Sequence, residues 1–207
     1  MKSALILADG EAMTRARLNR LRKNRFFLVL DGAAERAKQE KWRPDLILGD
    51  FDSIRPTTRK SFARQGIDFF TAPDQNFTDL EKGIAWCVAQ EHKSIWIAQA
   101  LGKRIDHQLT NLGFLKKFHR EGLELKIFSE TERVQFCSSG RYQFQGRKNR
   151  GFAVLPFAEA VVSSKGLLFE MQKMPLQIGK QESSSNRART QKIELFIEGD
   201  VLVVEEE

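Results

Sequence analysis

The strongest local signal is the segment Pro44-Asp45-Leu46-Ile47-Leu48-Gly49-Asp50-Phe51-Asp52-Ser53, in which an apolar run leads into a glycine and then into two aspartates one residue apart. In an extended backbone residues i and i+2 point to the same side, so we expect the Asp50 and Asp52 carboxylates to lie close together. Two negative charges this close either raise the pKa of one carboxyl group or require a cation between them. Mg²⁺ binds oxygen ligands and is the usual ion beside phosphates. For this motif alone, a turn in which Asp52 caps the next helix is an equally good interpretation.

Strand-like runs alternate with amphipathic helical patterns around this segment. The predicted strands are Ser3–Leu7, Phe26–Leu30, Leu46–Leu48, Asp68–Phe70, Ser94–Ala98 and Glu124–Phe128, and the predicted helices lie near residues 15–21, 33–39, 57–65, 80–90 and 108–120. This alternation predicts a Rossmann-like α/β domain, with a mainly parallel sheet and helices on both faces. Ligands of such sheets bind outside the carboxyl ends of the strands.

The pattern changes after residue 133. Short alternating stretches are predicted as strands at residues 134–137, 141–144, 151–155, 160–163, 166–169, 192–197 and 201–204, with turn signals between them. They predict a small all-β sandwich or barrel, so we divide the chain into domains 1–133 and 134–207. The polar, serine-rich stretch from 181 to 190 is typical of a flexible loop.

Composition is that of an ordinary globular protein, with 41% hydrophobic and 29% charged residues in 207. No apolar run approaches the roughly 20 residues of a membrane-spanning helix, so we expect a soluble protein with no membrane partner. The two cysteines, Cys87 and Cys137, have no CxxC partner. Two buried thiols in a reducing cytoplasm are the expected outcome.

The net charge of +7 fits two classes of partner, nucleic acid or a polyphosphate substrate. The densest basic stretch, from Arg15 to Arg25, contains leucines at helical spacing and predicts a solvated helix face. RNA binding would need exposed aromatic rings among the basic residues. We therefore expect no nucleic-acid partner and only weak, salt-sensitive association.

Two further segments follow strands and open helices. In Asp74-Gln75-Asn76-Phe77-Thr78-Asp79-Leu80-Glu81-Lys82, Thr78 or Asp79 can cap a helix whose free N–H groups suit a phosphate. Asp79 can also complete a metal site, and Lys82 can reach a phosphate oxygen. In Gly102-Lys103-Arg104-Ile105-Asp106-His107, Arg104 suits a phosphate clamp. Asp106 and His107 are acid–base candidates, although His107 taken singly favours a structural role.

These acidic segments each follow a strand of one predicted parallel sheet, so their carboxylates can converge on one edge. Asp31-Gly32, after the second strand, is by itself only a common turn dipeptide. No GxxxxGK[ST] loop is present, so bound phosphates would be held by metal, Arg and Lys. We predict a metal-dependent phosphoryl-transfer enzyme whose cation is held mainly by Asp50, Asp52 and Asp79.

The segments, in this order, resemble the thiamine pyrophosphokinase (thiamine diphosphokinase) family. The resemblance begins at Asp9-Gly10-Glu11, includes the motifs above, and continues through Lys165-Gly166-Leu167 to Ser183-Ser184-Ser185-Asn186. It implies an α/β domain followed by a β domain, a homodimer, and transfer of the pyrophosphoryl group of ATP to the hydroxyl of thiamine with release of AMP. A diphosphokinase for another hydroxymethyl heterocycle, such as a pterin, is the alternative enzyme, and a basic nucleic-acid-binding protein is the non-enzyme alternative.

The resemblance also implies roles for individual residues. Asp50, Asp52 and Asp79 would bind Mg²⁺, with Asp31 and Asp106 beside them. The residues along ATP would be Gln75, Thr78, Lys82 and Arg104. Thiamine would meet Phe169, Ser183 and Asn186, in a pocket formed across the dimer. The chain departs from the family pattern at Ala33 and Lys103, where glycine is usual, and at Phe169, where Trp or Tyr is usual.

Overall fold

The computed structural model describes residues 1–207, and the chain folds as two compact units, Met1–Glu130 and Thr131–Glu207. The predicted boundary at residue 133 lies three residues beyond the observed one. None of the helices is long and apolar enough to cross a membrane.

The first unit is an α/β domain. Its elements are β1 (Ser3–Leu7), α1 (Arg15–Arg22), β2 (Phe26–Leu30), α2 (Ala34–Gln39), β3 (Leu46–Gly49), α3 (Pro56–Arg64), β4 (Asp68–Thr71), α4 (Asp79–Ala89), β5 (Ser94–Ala98), α5 (Ile105–Lys117) and β6 (Glu124–Phe128). A 3₁₀ turn, Asp31–Ala33, joins β2 to α2. The six strands are parallel, as the alternation predicted, and lie in the order β6-β5-β1-β2-β3-β4.

Alternate residues of the strands face two separate sets of helices. Leu5 and Leu7 of β1 belong to a buried cluster with Leu18 of α1, Ala37 of α2 and Phe62 of α3. On the opposite face, Gly83 of α4 packs over β1 and β2, since a Cβ added there would lie 3.1 Å from Leu30 and 3.8 Å from Ile6. Strands buried on both faces read as continuous apolar runs, which is why the sequence showed them clearly.

The strand order creates a switch point between β1 and β5. The chain runs outward from β1 through β2, β3 and β4, then returns to place β5 on the other side of β1. The loops after β1 and β5 therefore separate at the carboxyl edge and leave a crevice, the usual ligand position in open α/β sheets.

Helix α5 begins earlier than predicted. The sequence suggested a start near Gln108, whereas the helix begins at Ile105 with Arg104 in the extended N-cap conformation. Its buried residues, Phe114 and Leu115, lie in the second half, while Leu109 is exposed. Because the first turns have no buried apolar face, the periodicity there is weak, and Asp106 and His107 belong to the first turn and not to the loop before it.

The second unit is antiparallel and built on two long strands. Its elements are β7 (Glu132–Cys137), β8 (Gly140–Gln145), β9 (Phe152–Lys165), β10 (Met174–Gln177) and β11 (Lys192–Glu206). Strand β11 pairs with β8 and β7 along one side and with β9 along the other, and β10 pairs with β9. Inward-facing residues from both halves of β9 and β11 form one buried cluster.

Several predicted strand boundaries of this unit were wrong. The stretches at 151–155 and 160–163 are parts of β9, and those at 192–197 and 201–204 are parts of β11, because the turn signal at Gly199 is absorbed as a bulge in a continuous strand. Residues 166–169 are not a strand, since Gly166 turns the chain with a φ of +90°. Strand β10 was missed.

Two further predictions concern side chains. Both cysteines are free and buried, as predicted, and burial raises the pKa of the Cys87 thiol to about 12. Arg15 and Arg20 of α1 are exposed, but Arg17 is buried, with its guanidinium 5.8 Å from the Phe128 ring centre. The solvated basic face is therefore interrupted at one position.

Candidate active site

Three aspartates meet at the carboxyl edge of the parallel sheet. Asp31 opens the 3₁₀ turn after β2, Asp50 follows β3, and Asp79 is the first residue of α4. One carboxylate oxygen from each lies within 4.8 Å of the other two. We call these three residues the acidic cluster. Closely spaced oxygen ligands of this kind suit a hard divalent cation.

Asp31 is the buried member, with 1% of its surface exposed. Burial is the main reason why its pKa is raised to about 6, and the charge and hydrogen bonding of Asp79 and the charge of Asp50 add to the effect. Its Oδ2 accepts a hydrogen bond from the Phe51 N–H at 3.1 Å. The carboxylate lies over Gly49, where an added Cβ would be 2.6 Å from Asp31 Cγ, so only glycine fits there.

The structure does not bring Asp52 into the acidic cluster. The expectation that Asp50 and Asp52 share one side assumed an extended backbone, but the strand ends at Gly49 and Phe51 has a φ of +68°. The Phe51 ring packs inward against Phe69, and Asp52 is exposed, with its N–H 3.1 Å from Asp50 Oδ1. The geometric premise was wrong, and metal binding by Asp52 stays a prediction.

Each cation near the cluster is paired with a carboxylate. Lys82 Nζ lies 3.3 Å from Asp79 Oδ1, and Lys103 Nζ lies 2.8 Å from Asp9 Oδ2. Arg104 donates two hydrogen bonds to Asp106, at 3.1 and 2.5 Å. The hydrogen bond from Arg104 is the main reason why the pKa of Asp106 falls to about 2. Asp106 is therefore a weak proton acceptor in this arrangement.

A cleft of about 330 Å³ opens beside these groups at the switch point. Its walls come from the loops after β1, β2, β3 and β5 and from the first turns of α4 and α5. The predicted site residues that line it are Asp31, Thr78, Asp79, Arg104 and His107, and other polar lining residues are Asp9, Ser53, Gln99, Lys103, Gln108 and Asn111. Gln75 is exposed and does not line the cleft. Lys82 does not line it either, and its contact with the site is the ion pair with Asp79.

The first turn of α4 faces the cleft with a capped N-terminus. The Thr78 hydroxyl accepts a hydrogen bond from the Glu81 N–H at 3.3 Å, which is the capping role considered from the sequence. Thr78 and Asp79 still line the cleft. The helix end therefore offers positive potential to an anion, while Asp79 supplies a carboxylate to the acidic cluster.

Gln99 and Asn111 are among the cleft residues that sequence reasoning missed. Gln99 follows β5 with a φ of +58°, and its Oε1 accepts a hydrogen bond from Arg36, which also donates to the Gly10 carbonyl oxygen at 3.2 Å. Asn111 donates to the Ala100 carbonyl oxygen at 2.7 Å. Asn111 lies one turn after His107 and could have been found from that spacing, whereas nothing in the sequence marked Gln99.

The second unit brings Phe169, Ser183 and Asn186 together. Phe169 is 66% exposed, so it is not the core residue of a strand that its residue type alone favoured. Asn186 is buried and binds the Phe169 backbone twice, accepting from its N–H at 3.0 Å and donating to its carbonyl oxygen at 2.7 Å. Asn186 also donates to Ser183 Oγ at 3.3 Å. These bonds hold the phenyl ring outward. The stretch 181–190, expected to be a flexible loop, forms isolated backbone bridges to neighbouring segments at Ser183, Arg187 and Ala188.

Comparison with known proteins places the chain in a family. Residues 18–127 match the family model described as thiamin pyrophosphokinase, catalytic domain. Thiamin pyrophosphokinase 1 of Caenorhabditis elegans is 28% identical over 208 residues, covering 92% of this chain and 84% of that protein. The crystal structure of thiamine pyrophosphokinase from Bacillus subtilis superposes with a TM-score of 0.87 at 20% identity, covering 99% of each chain. The structure from Candida albicans has a TM-score of 0.86 at 17% identity, covering 99% of this chain and 89% of that one. Because the family model spans more than half of the chain, this protein belongs to the thiamin pyrophosphokinase family.

Proposed function

We propose that this protein is a thiamine diphosphokinase, which transfers the pyrophosphoryl group of ATP to the hydroxyl of thiamine and releases AMP. The observation that carries the proposal is the acidic cluster of Asp31, Asp50 and Asp79 beside a cleft, in a chain that the family model matches. The curated relatives named thiamine pyrophosphokinase support thiamine over a pterin as the acceptor. No comparable observation favours nucleic acid.

The acidic cluster fits a divalent cation, which we take to be Mg²⁺. The raised pKa of Asp31 reflects its burial first and, after that, repulsion from the neighbouring carboxylates, whose oxygens lie within 4.8 Å of one another. Asp31, Asp50 and Asp79 would hold the ion. When bound, it would neutralise charge on the phosphates of ATP.

The remaining groups would position ATP. Arg104 can form two parallel hydrogen bonds to a phosphate in place of those it makes to Asp106. Lys82 and the N-terminus of α4 add positive potential beside the cluster. Positioning and charge neutralisation supply most of the catalysis in such transfers.

More than one group near the cleft can accept the proton of the attacking hydroxyl. His107 lines the cleft, whereas Asp106 is a poor base while Arg104 holds its pKa low. The carboxylates of the acidic cluster are the other candidates. A pH profile of kcat for His107→Gln, compared with that of the unchanged protein, distinguishes them: a general base is inactive when protonated, so loss of the acidic limb identifies His107.

The reaction class is tested by one incubation. The protein is mixed with ATP, Mg²⁺ and, separately, thiamine, a hydroxymethylpterin or no acceptor, and products are identified by mass. We expect AMP and a diphosphorylated acceptor only with thiamine. ADP or orthophosphate as the nucleotide-derived product would indicate a kinase or a hydrolase, and a diphosphorylated pterin would support the alternative acceptor.

Replacing Phe169 with Ala should raise KM for thiamine roughly ten-fold, the equivalent of about 1.4 kcal/mol, and leave KM for ATP little changed. The exposed phenyl ring offers thiamine, a cation with a flat aminopyrimidine, an aromatic face. Leu168→Ala is the matched control, since Leu168 is the exposed neighbour in the same loop. If both variants retain normal thiamine kinetics, the assignment of the acceptor pocket to this loop fails.

Asn186 has a different role in this proposal from the one first expected. Both polar atoms of its side chain are engaged within the protein, so Asn186 would act by orienting Phe169.

We place the protein in the cytoplasm, with support from its two free buried thiols, and propose that it is a homodimer. Sedimentation equilibrium tests the assembly, and an active monomer would contradict it.

A further inference from the structure

Lys103, a lysine outside the predicted set, stands at the mouth of the cleft. It lies in the loop between β5 and α5, directly before Arg104, and its side chain is 50% exposed. Its ammonium nitrogen is 2.8 Å from Oδ2 of Asp9, and both residues line the cleft. The ion pair therefore links the loop after β1 to the loop after β5, the two loops that flank the switch point.

The position of Asp9 places this ammonium near the acidic cluster. The Asp9 side chain rests on Gly32, where an added Cβ would lie 3.3 Å from Asp9 Cβ and 3.7 Å from its Oδ2. Gly32 is the chain neighbour of Asp31, the buried member of the cluster. One carboxylate and one glycine thus separate the Lys103 ammonium from the proposed metal ligands.

The ion pair contributes little to holding the loops together. Both side chains are about half exposed, so water screens the attraction, and pairs of this kind add little to stability. The two loops are already joined by backbone hydrogen bonds, including Glu11 N–H to the Leu101 carbonyl oxygen at 2.7 Å. Lys103 is therefore free to exchange its partner without loss of the fold.

A phosphate can compete with Asp9 for this cation. A polyphosphate chain carries more negative charge than one carboxylate and offers more acceptor oxygens. Phosphates anchored by the acidic cluster and its cation would lie within the same cleft as the ammonium. The flexible stem of lysine allows the ammonium to follow them.

We propose that Lys103 binds the polyphosphate chain of the nucleotide, exchanging the Asp9 carboxylate for a phosphate oxygen. The inference rests on the proposed function, because it takes a nucleoside triphosphate as the ligand of this cleft. It adds a third cation to Lys82 and Arg104 and gives Asp9 the role of holding that cation at the mouth of the cleft.

Lys103→Ala should raise KM for ATP about ten-fold, with a smaller change in kcat and none in KM for thiamine. Calorimetric titration in the presence of Mg²⁺ should show a loss of affinity that is largest for ATP, smaller for ADP and smallest for AMP. The dependence of the ATP affinity on salt should also become shallower. Lys103→Arg should restore most of the affinity, since it restores the charge.

Lys93→Ala is the matched control. Lys93 is an exposed lysine just before β5, at the opposite end of the same strand, so the variant loses the same charge outside the cleft. Its ATP affinity should be unchanged. Thermal melts of the Lys103 variants should match the unchanged protein, and Lys103→Gln, which keeps the side-chain length more closely, should show the same ATP defect.

Unchanged ATP affinity in Lys103→Ala and Lys103→Gln would overturn the inference, as would an equal loss for AMP and ATP. If the unchanged protein converts ATP and thiamine to AMP and thiamine diphosphate in these conditions, that failure concerns Lys103 alone. If the unchanged protein neither binds ATP nor forms those products, the proposed function itself fails.

Discussion

Replacing Asp50 or Asp79 with Asn should lower kcat roughly a hundred-fold or more while leaving the fold intact. Each change keeps the shape of the side chain and removes one negative charge from the acidic cluster, where the carboxylate oxygens lie within 4.8 Å of one another. A weakened cation site would leave the phosphates of ATP incompletely neutralised. The measurement is steady-state turnover with Mg²⁺ and thiamine, with a thermal melt to confirm folding.

Asp68→Asn is the control for this prediction. Asp68 is exposed at the start of β4, so it lies at the amino end of the sheet, away from the cluster, and turnover should be unchanged. Asp52→Asn tests whether Asp52 binds the metal. A loss of turnover as large as that of Asp50→Asn would keep Asp52 among the metal ligands. Near-normal turnover would restrict the metal site to the acidic cluster. Near-normal turnover of Asp50→Asn and Asp79→Asn would refute the metal assignment.

Asp31→Asn should stabilise the metal-depleted protein near neutral pH by about 2 to 3 kcal/mol, since each pKa unit corresponds to about 1.4 kcal/mol. The folded protein raises the pKa of Asp31 from its ordinary value of 3.8 to about 6. The folded state therefore binds this proton more tightly than the unfolded state does. The resulting stability is fully present below pH 3.8 and is lost as the pH rises to about 6. The neutral amide of asparagine avoids that loss.

Urea unfolding in EDTA between pH 4 and pH 7.5 measures this effect. The free energy of unfolding of Asp31→Asn, relative to that of the unchanged protein, should increase with pH up to about pH 6 and then level off. Mg²⁺ should stabilise the unchanged protein and have much less effect on the variant, because a ligand stabilises only the state that binds it. A difference that is independent of pH, or equal stabilisation of both proteins by Mg²⁺, would contradict this account of Asp31.

The parallel sheet and the edge where the site lies were predictable from the sequence. Strands β2 and β3 are continuous apolar runs because both of their faces are buried, and the acidic segments follow the strands directly. Given a parallel sheet, residues that follow its strands must lie at one edge, which is why Asp50 and Asp79 were expected together. The order of the elements alone places these residues together, without any detail of the side chains.

The predictions that were wrong or incomplete concern features that depend on tertiary structure. The left-handed conformation of Phe51 directs Asp52 away from the cluster, and no residue type in the sequence marks that conformation. Asp31-Gly32 looked like a common turn, and only the packing of Asp31 over Gly49 shows that it is the buried member of the cluster. In the second unit, Gly199 was taken for a turn because a bulge within a long strand has the same local signal.

The proposed activity is the transfer of a pyrophosphoryl group from ATP to thiamine. The most direct test is a ³¹P NMR time course of ATP, thiamine and Mg²⁺ with the unchanged protein, and with Asp50→Asn as the matched inactive variant. The account predicts that AMP and thiamine diphosphate appear together in equal amounts, with no ADP and no thiamine monophosphate at any time, and that the variant forms neither product. Accumulation of ADP with thiamine monophosphate, or consumption of ATP that does not depend on thiamine, would contradict it.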